Sequence, residues 1–269
     1  MATHNTLLCC GLDPDMRKFP QEITQRHQSD EKKTLRFLCG VVDATAKHVC
    51  AYKAQKAFFD LLNCGHSTLK QLIQYIHAHY PEIPVIVDCK IGDIENTMDA
   101  YLRIVFGALK ADGIVLNPYM GDDAIIPAAK FREKAIVVLV KTSNPSGGIV
   151  QDVVLQNGMR LWQHTLDLVT NRWNFNKNII PVIASTTGND LRQIRNLLPD
   201  EMLVLLAGIG AQGGDLKCLR SLLNSKSSGV FINSSRGVLY PPLGEHWMTA
   251  IEKSAVEIKN RLNQERVSL

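Results

Sequence analysis

Short, β-branched, apolar runs recur along the chain, and most are followed by a stretch with helical hydrophobic spacing. They lie near residues 6–12, 49–54, 84–89, 113–118, 135–142, 179–185, 202–208 and 228–234. Runs such as Val85-Ile86-Val87, Ile136-Val137-Val138-Leu139 and Met202-Leu203-Val204-Leu205-Leu206 lack polar alternation, as parallel strands buried on both faces do. Between them, Leu69, Leu72, Ile73 and Ile76 fit one helical face, as do Tyr101, Ile104, Val105 and Ala108. A last helix aligns Trp247, Ile251, Ile258 and Leu262. Strand starts are 22 to 44 residues apart, the size of one βα unit and too uneven for a solenoid. Eight such units in 269 residues leave two architectures, a closed (β/α)8 barrel or a large doubly wound sheet. No Pro/Gly/Ser-rich linker divides the chain, so a single α/β domain is expected over 1–269.

Composition narrows the function classes. With 45% apolar and 21% charged residues, the chain has an ordinary globular make-up and builds a core without disulfide or metal staples. The net charge of +4 is dispersed; even 252–266 alternates Glu252, Glu257 and Glu265 with Lys253, Lys259, Arg261 and Arg266. A nucleic-acid binder more often shows a basic stripe. Seven cysteines without a CxxC pair point to a reduced, cytoplasmic setting. The start reaches Asp13 and Asp15 after a short apolar stretch, unlike a signal peptide, and the apolar segments fall short of a membrane span. A soluble protein without nucleic-acid or membrane partners is expected. The connection Asn144–Asn157 is long enough to serve as a lid or to be a solvated excursion.

In a parallel barrel, chemistry collects where strands end. Polar residues at those ends are Asp13, Lys53, Asp88, Lys90, Asp93, Asn117, Lys141, Thr142, Ser143, Ser185, Thr186, Gln212, Asn233, Ser234, Ser235 and Arg236. Asp88 and Lys90 are two apart, so strand alternation puts them on one face with Cys89 opposite. Each then favours the other's ionised form. Lys53 ends the neighbouring strand, so Lys53, Asp88, Lys90 and Asp93 can form either a charged catalytic set or a structural ion-pair network. Gly208-Ile209-Gly210-Ala211-Gln212-Gly213 matches GxGxxG formally, but the next strand ends Phe231-Ile232-Asn233-Ser234 without the carboxylate a dinucleotide site needs. The same glycines suit a phosphate site after strands 7 and 8, with Arg236 as a fixed charge. His77 and His79 are spaced wrongly for one metal, and no HExxH or GxSxG occurs. No metal site or acyl-transfer nucleophile is indicated.

Taken together, the motifs resemble orotidine 5′-phosphate decarboxylases, in particular the bacterial subgroup called type 2. The matching blocks are Gly11-Leu12-Asp13-Pro14, Ala51-Tyr52-Lys53, and Asp88-Cys89-Lys90-Ile91-Gly92-Asp93-Ile94 with Thr97. They continue with Lys141-Thr142-Ser143-Asn144-Pro145-Ser146-Gly147, Gly208-Ile209-Gly210-Ala211-Gln212-Gly213-Gly214-Asp215 and Asn233-Ser234-Ser235-Arg236-Gly237. The DxKxxD block alone is shared with a related ketogulonate-phosphate decarboxylase. The sequence departs from the family pattern at Ala54 and Ala207, where prolines are usual, and at Cys89, Ile91, Glu95 and Asn96. No charged or phosphate-facing group is lost.

The resemblance implies a single (β/α)8 TIM barrel over 1–269 that converts orotidine 5′-monophosphate to uridine 5′-monophosphate and CO2 without metal or organic cofactor. It implies a catalytic set of Lys53, Asp88, Lys90 and Asp93, with Lys90 stabilising and protonating the C6 carbanion. Asp13 and Lys53 would meet ribose hydroxyls, Thr142 or Ser143 the pyrimidine edge, and Gly210, Gln212, Ser235 and Arg236 the phosphate. Asp93 and Thr97 would reach a neighbouring subunit's site, in a homodimer with shared active sites.

Overall fold

All eight expected strands form: Leu8–Leu12 (β1), Ala51–Gln55 (β2), Val85–Ile91 (β3), Gly113–Leu116 (β4), Ala135–Leu139 (β5), Ile179–Ala184 (β6), Val204–Ala207 (β7) and Val230–Ser234 (β8). The computed structural model describes residues 4–26, 29–185, 190–208, 216–242 and 246–267. Hydrogen-bonded neighbours follow chain order from β1 to β8 around a closed barrel. Of the two architectures open to the sequence, a doubly wound sheet would reverse its strand order at a switch point; no reversal occurs. Burial of every residue in β1, β4 and β6 explains the missing alternation, since one face meets the barrel interior and the other the helices.

Over the described residues the chain divides into two compact units, one within 1–89, 104–112 and 233–263, the other within 90–103, 113–232 and 264–269. In the first, helix Asp30–Thr45 starts at Ser29, whose side chain accepts the Lys32 N–H, with Asp30 and Glu31 in the first turn. Its Phe37 stacks on Phe19, Tyr240 and Trp247 at 4.4, 5.9 and 5.4 Å. A Cβ at Gly40 would lie 2.3 Å from the Trp247 ring, so only glycine lets the indole pack there. Helix Gly65–His79 buries Leu69, Leu72, Ile73 and Ile76 as its spacing requires.

The second unit holds β4 to β7. Asp122, in the first turn of helix Asp122–Ala129, accepts from Trp173 Nε1 at 2.8 Å and from both forks of Arg172. Those donors hold its carboxyl down to about 2. Before β6, Asn178 Nδ2 donates to the carbonyls of Ala129, Phe131 and Lys134, satisfying a helix end and its turn.

Two expectations change. The segment expected to bury Tyr101, Ile104, Val105 and Ala108 instead buries Leu102, Val105, Phe106 and Leu109, and Ile104 and Ala108 are exposed. Helix Glu95–Leu102 continues as a π-helical turn over Arg103–Ala108, in which Leu109 N–H donates to Ile104 C=O. The buried face is already set before this turn, at Met98 and Leu102, and it continues at Val105 and Leu109 with ordinary helical spacing. The connection 144–157 also carries structure: a 3-10 turn Pro145–Gly147, one helical turn Gly148–Gln151 and a small hairpin where Val154 bridges Arg160. No helix of the described residues is long and apolar enough to cross a membrane.

Candidate active site

In the first unit, β2 and β3 pair with Lys53 opposite Ile86 and Gln55 opposite Asp88. Register alone therefore leaves Lys53 two positions short of Asp88, and the lysine's reach closes the gap. Its Nζ donates to Asp88 Oδ2 at 2.7 Å, with the two residues 6% and 5% exposed. Burial pulls the Lys53 ammonium's pKa down, but attraction to Asp88 and Asp13 outweighs it and the net shift is upward. A buried pair of this kind stays ionised because each charge compensates the other's lost hydration.

After β1, Asp13 Oδ1 is buried and has no hydrogen-bond partner among the described residues. A carboxylate oxygen left so costs free energy unless a ligand donates to it. The Tyr240 hydroxyl fixes this turn, donating to Asp13 C=O at 3.0 Å and accepting from Asp15 N–H at 2.6 Å. Ser235 lies against β1: a Cβ at Gly11 would fall 1.9 Å from Ser235 Oγ, which accounts for glycine in that strand. Asn233 Nδ2 donates to the same hydroxyl at 3.1 Å. Arg236 opens the short helix Arg236–Leu239 and is exposed.

In the second unit, Lys90 is exposed, and its φ of 47° is left-handed. Lys90 is the sixth of the seven residues of β3, and its left-handed φ departs from the extended conformation on which a two-residue alternation rests. A lysine in this region is strained, a condition that collects at functional sites. Gly92 follows, where a Cβ would lie 2.3 Å from Asn117 C=O, and Asn117 N–H donates to Ile91 C=O at 2.7 Å. The close approach ties the Lys90–Asp93 turn to the end of β4. Asp93 and Thr97 are half-buried, and Asp93 Oδ1 accepts the Ile94 N–H.

Beyond β5, Lys141 Nζ donates to Asp152 Oδ1 at 2.6 Å. The Thr142 N–H donates to Gln151 Oε1 at 3.0 Å, and its hydroxyl accepts from Gln151 Nε2 at 2.7 Å while donating to Asn144 Oδ1 at 2.6 Å. Ser143 is half-buried beside them. At the end of β6, Ser185 Oγ is buried without a partner among the described residues. Gly208 has a φ of 89°, a conformation glycine adopts without strain. Gly210, Gln212 and Thr186 lie outside the described residues.

The residues that sequence reasoning passed over are Tyr240, Gln151 and Asp152. Each acts across 9 to 227 residues of chain, and no local spacing marks it. Among the described residues no group of three His, Cys, Asp or Glu is placed to hold a metal ion. Burial raises the thiol pKa of Cys9 and Cys10, and that of Cys39 and Cys50 to about 12, so these four are protonated and poor nucleophiles at neutral pH.

The sequence profile described as the orotidine 5′-phosphate decarboxylase / HUMPS family matches residues 6–241. Orotidine 5′-phosphate decarboxylase of Bordetella pertussis is 35% identical over 262 residues, covering 97% of this chain and 94% of its own. That of Azoarcus sp. is 37% identical over 263 residues, covering 97% and 95%. The solved structure of Leishmania donovani OMP decarboxylase superposes with a TM-score of 0.83 at 30% identity, covering 98% of this chain and 95% of that one.

Proposed function

Because the chain belongs to the orotidine 5′-phosphate decarboxylase / HUMPS family, we propose that it is a carboxy-lyase converting orotidine 5′-monophosphate to uridine 5′-monophosphate and CO2, a step of pyrimidine biosynthesis. The observation that carries the site assignment is the buried Lys53–Asp88 pair, which holds two ionised groups where β2 and β3 end.

Loss of CO2 from C6 leaves an electron pair on a ring carbon with no adjacent sink. A fixed ammonium stabilises that charge electrostatically and then delivers a proton to the carbon. Lys90 is assigned this role, and its strained backbone is consistent with a side chain whose placement serves chemistry. Asp88 is assigned a place beside the departing carboxylate, where repulsion destabilises the ground state, and its charge keeps Lys53 ionised. Asp93 completes the set. Lys53 and Asp13 take the ribose hydroxyls; the unpartnered Asp13 oxygen supplies an acceptor for one of them. Thr142 spends its N–H and O–H protons within its own loop, so the pyrimidine carbonyl edge is assigned to Ser143.

Gly210, Gln212, Ser235 and Arg236 are assigned to the phosphate, which is remote from C6 and contributes binding energy that supports the transition state. We assign the whole chain to one (β/α)8 domain of the type 2 subgroup, acting in the cytoplasm. We further assign it to a homodimer in which Asp93 and Thr97 enter the neighbouring subunit's site. Exposed Ile94, Tyr119 and Met120, at 50%, 85% and 42%, supply apolar surface for such a contact.

The resemblance further implies no metal and no organic cofactor. Incubation with orotidine 5′-monophosphate in excess EDTA, followed by ultraviolet absorbance of the pyrimidine, tests reaction and metal independence together. Conversion to uridine 5′-monophosphate is the expected result; an unchanged spectrum from folded protein overturns the assignment.

A further inference from the structure

The connection after β5 is tied back onto the strand end by its own side chains. Lys141 anchors the backbone on β6 by donating its N–H to Val182 C=O at 3.0 Å. Its ammonium, 13% exposed, meets Asp152 Oδ1 at 2.6 Å, and Arg160 Nη1 approaches the same oxygen at 3.5 Å. Gln151 sits at the end of the single helical turn Gly148–Gln151. Its amide grips Thr142 twice, accepting the backbone N–H and donating to the hydroxyl. One planar group thus holds both the main chain and the χ1 angle of Thr142. A Cβ at Gly147 would meet Thr142 Oγ1 at 2.9 Å and Gln151 Oε1 at 3.3 Å, so the clamp closes without spare room.

A lid free to wander would not hold a half-buried lysine on an aspartate or spend a side-chain amide on one residue of the strand end. The brace leaves Ser143, the next residue, on a backbone held at Lys141 and Thr142. We infer that Gln151 and Asp152 are positioning residues for pyrimidine recognition, acting through Thr142 and Lys141 on the placement of Ser143. This inference rests on the decarboxylase reading given above. Two side-chain contacts from one helical turn set the angle at which the recognition residue meets the base. An error of a fraction of an ångström there is felt by the base and not by the phosphate.

The test compares uridine 5′-monophosphate with ribose 5-phosphate, which lacks the base, as ligands of the wild-type protein, Gln151→Ala and Asp152→Asn. Gln151→Ala is expected to weaken uridine 5′-monophosphate binding and raise KM for orotidine 5′-monophosphate about tenfold, the scale of one or two lost hydrogen bonds. Affinity for ribose 5-phosphate and the melting temperature stay at wild-type values. Gln151→Glu still accepts the Thr142 N–H and recovers most of the loss. Thr142→Val combined with Gln151→Ala costs no more than the worse single change, because both break one linkage. Equal losses on both ligands, or unchanged binding of the nucleotide, overturn the inference. If Gln151→Ala fails to fold, the same ligand comparison on Asp152→Asn decides it, with weaker uridine 5′-monophosphate binding and unchanged ribose 5-phosphate binding expected. Absence of turnover in the wild-type protein would instead remove the underlying reading; wild-type turnover with indifferent variants removes only this inference.

Discussion

At Lys90 a single backbone angle separates chemistry from stability. A left-handed conformation costs a side-chain-bearing residue about 1–2 kcal/mol, and Lys90 adopts it at φ 47°. Lys90→Ala keeps that strain and loses the ammonium, so it is expected to fold with the wild-type circular dichroism spectrum and to show no measurable turnover. Near-wild-type turnover in folded protein would remove Lys90 from the mechanism. Lys90→Gly relieves the strain, and urea denaturation should show it more stable than wild type by about 1 kcal/mol.

The buried Lys53–Asp88 pair behaves in the opposite way. Asp88→Ala leaves an uncompensated ammonium in the interior and is expected to cost about 3 kcal/mol at neutral pH. Because the folded pKa of Lys53 is raised above its ordinary 10.5, the pair's contribution is complete below that value. It is lost as pH climbs through the higher folded value, so denaturation midpoints should carry no loss from this pair below pH 10.5 and should fall above it. A wild-type midpoint that rises over that range would contradict this ionisation state.

Among the elements, the turn before β6 depends on one carboxylate. Asp122 gathers Arg172 and Trp173 at the start of helix Asp122–Ala129, and its pKa drops from 3.8 to about 2. A depressed carboxyl stabilises the fold above its unfolded value and loses that contribution as pH falls through the folded one. Asp122→Asn should therefore melt below wild type at pH 7, with the gap closing between pH 3.8 and about 2. A gap independent of pH would assign the effect to packing. The strands themselves were legible from their apolar runs, because burial on both faces leaves a mark on every residue. The phase of the helix after β3 was not: Tyr101, Ile104, Val105 and Ala108 fit one helical face as well as Met98, Leu102, Val105 and Leu109 do, and packing chooses the second.

For the whole molecule, the proposed homodimer with shared active sites makes a quantitative prediction. If Asp93 serves the neighbouring subunit while Lys90 serves its own, mixing inactive Lys90→Ala with inactive Asp93→Ala restores one intact site per mixed dimer. Random exchange should then return about a quarter of wild-type activity by the decarboxylation assay. No recovery after demonstrated exchange would place both residues in one subunit's site.

By itself the sequence determined the repeating strand-and-helix order and the motif spacings around Asp88, Lys141 and Arg236, because periodicity and spacing are properties of neighbouring residues. It also limited the fold to two architectures, since eight buried strands in 269 residues must be covered on both faces. Its motifs implied a closed barrel by resemblance, and the strand pairing of the tertiary structure bears the closure out. The tertiary structure alone joined Lys53 to Asp88 across 35 residues and Tyr240 to Asp13 across 227, and it set Ser235 against Gly11. Such meetings depend on strand register and on how far a side chain reaches, quantities that exist only once distant segments are paired.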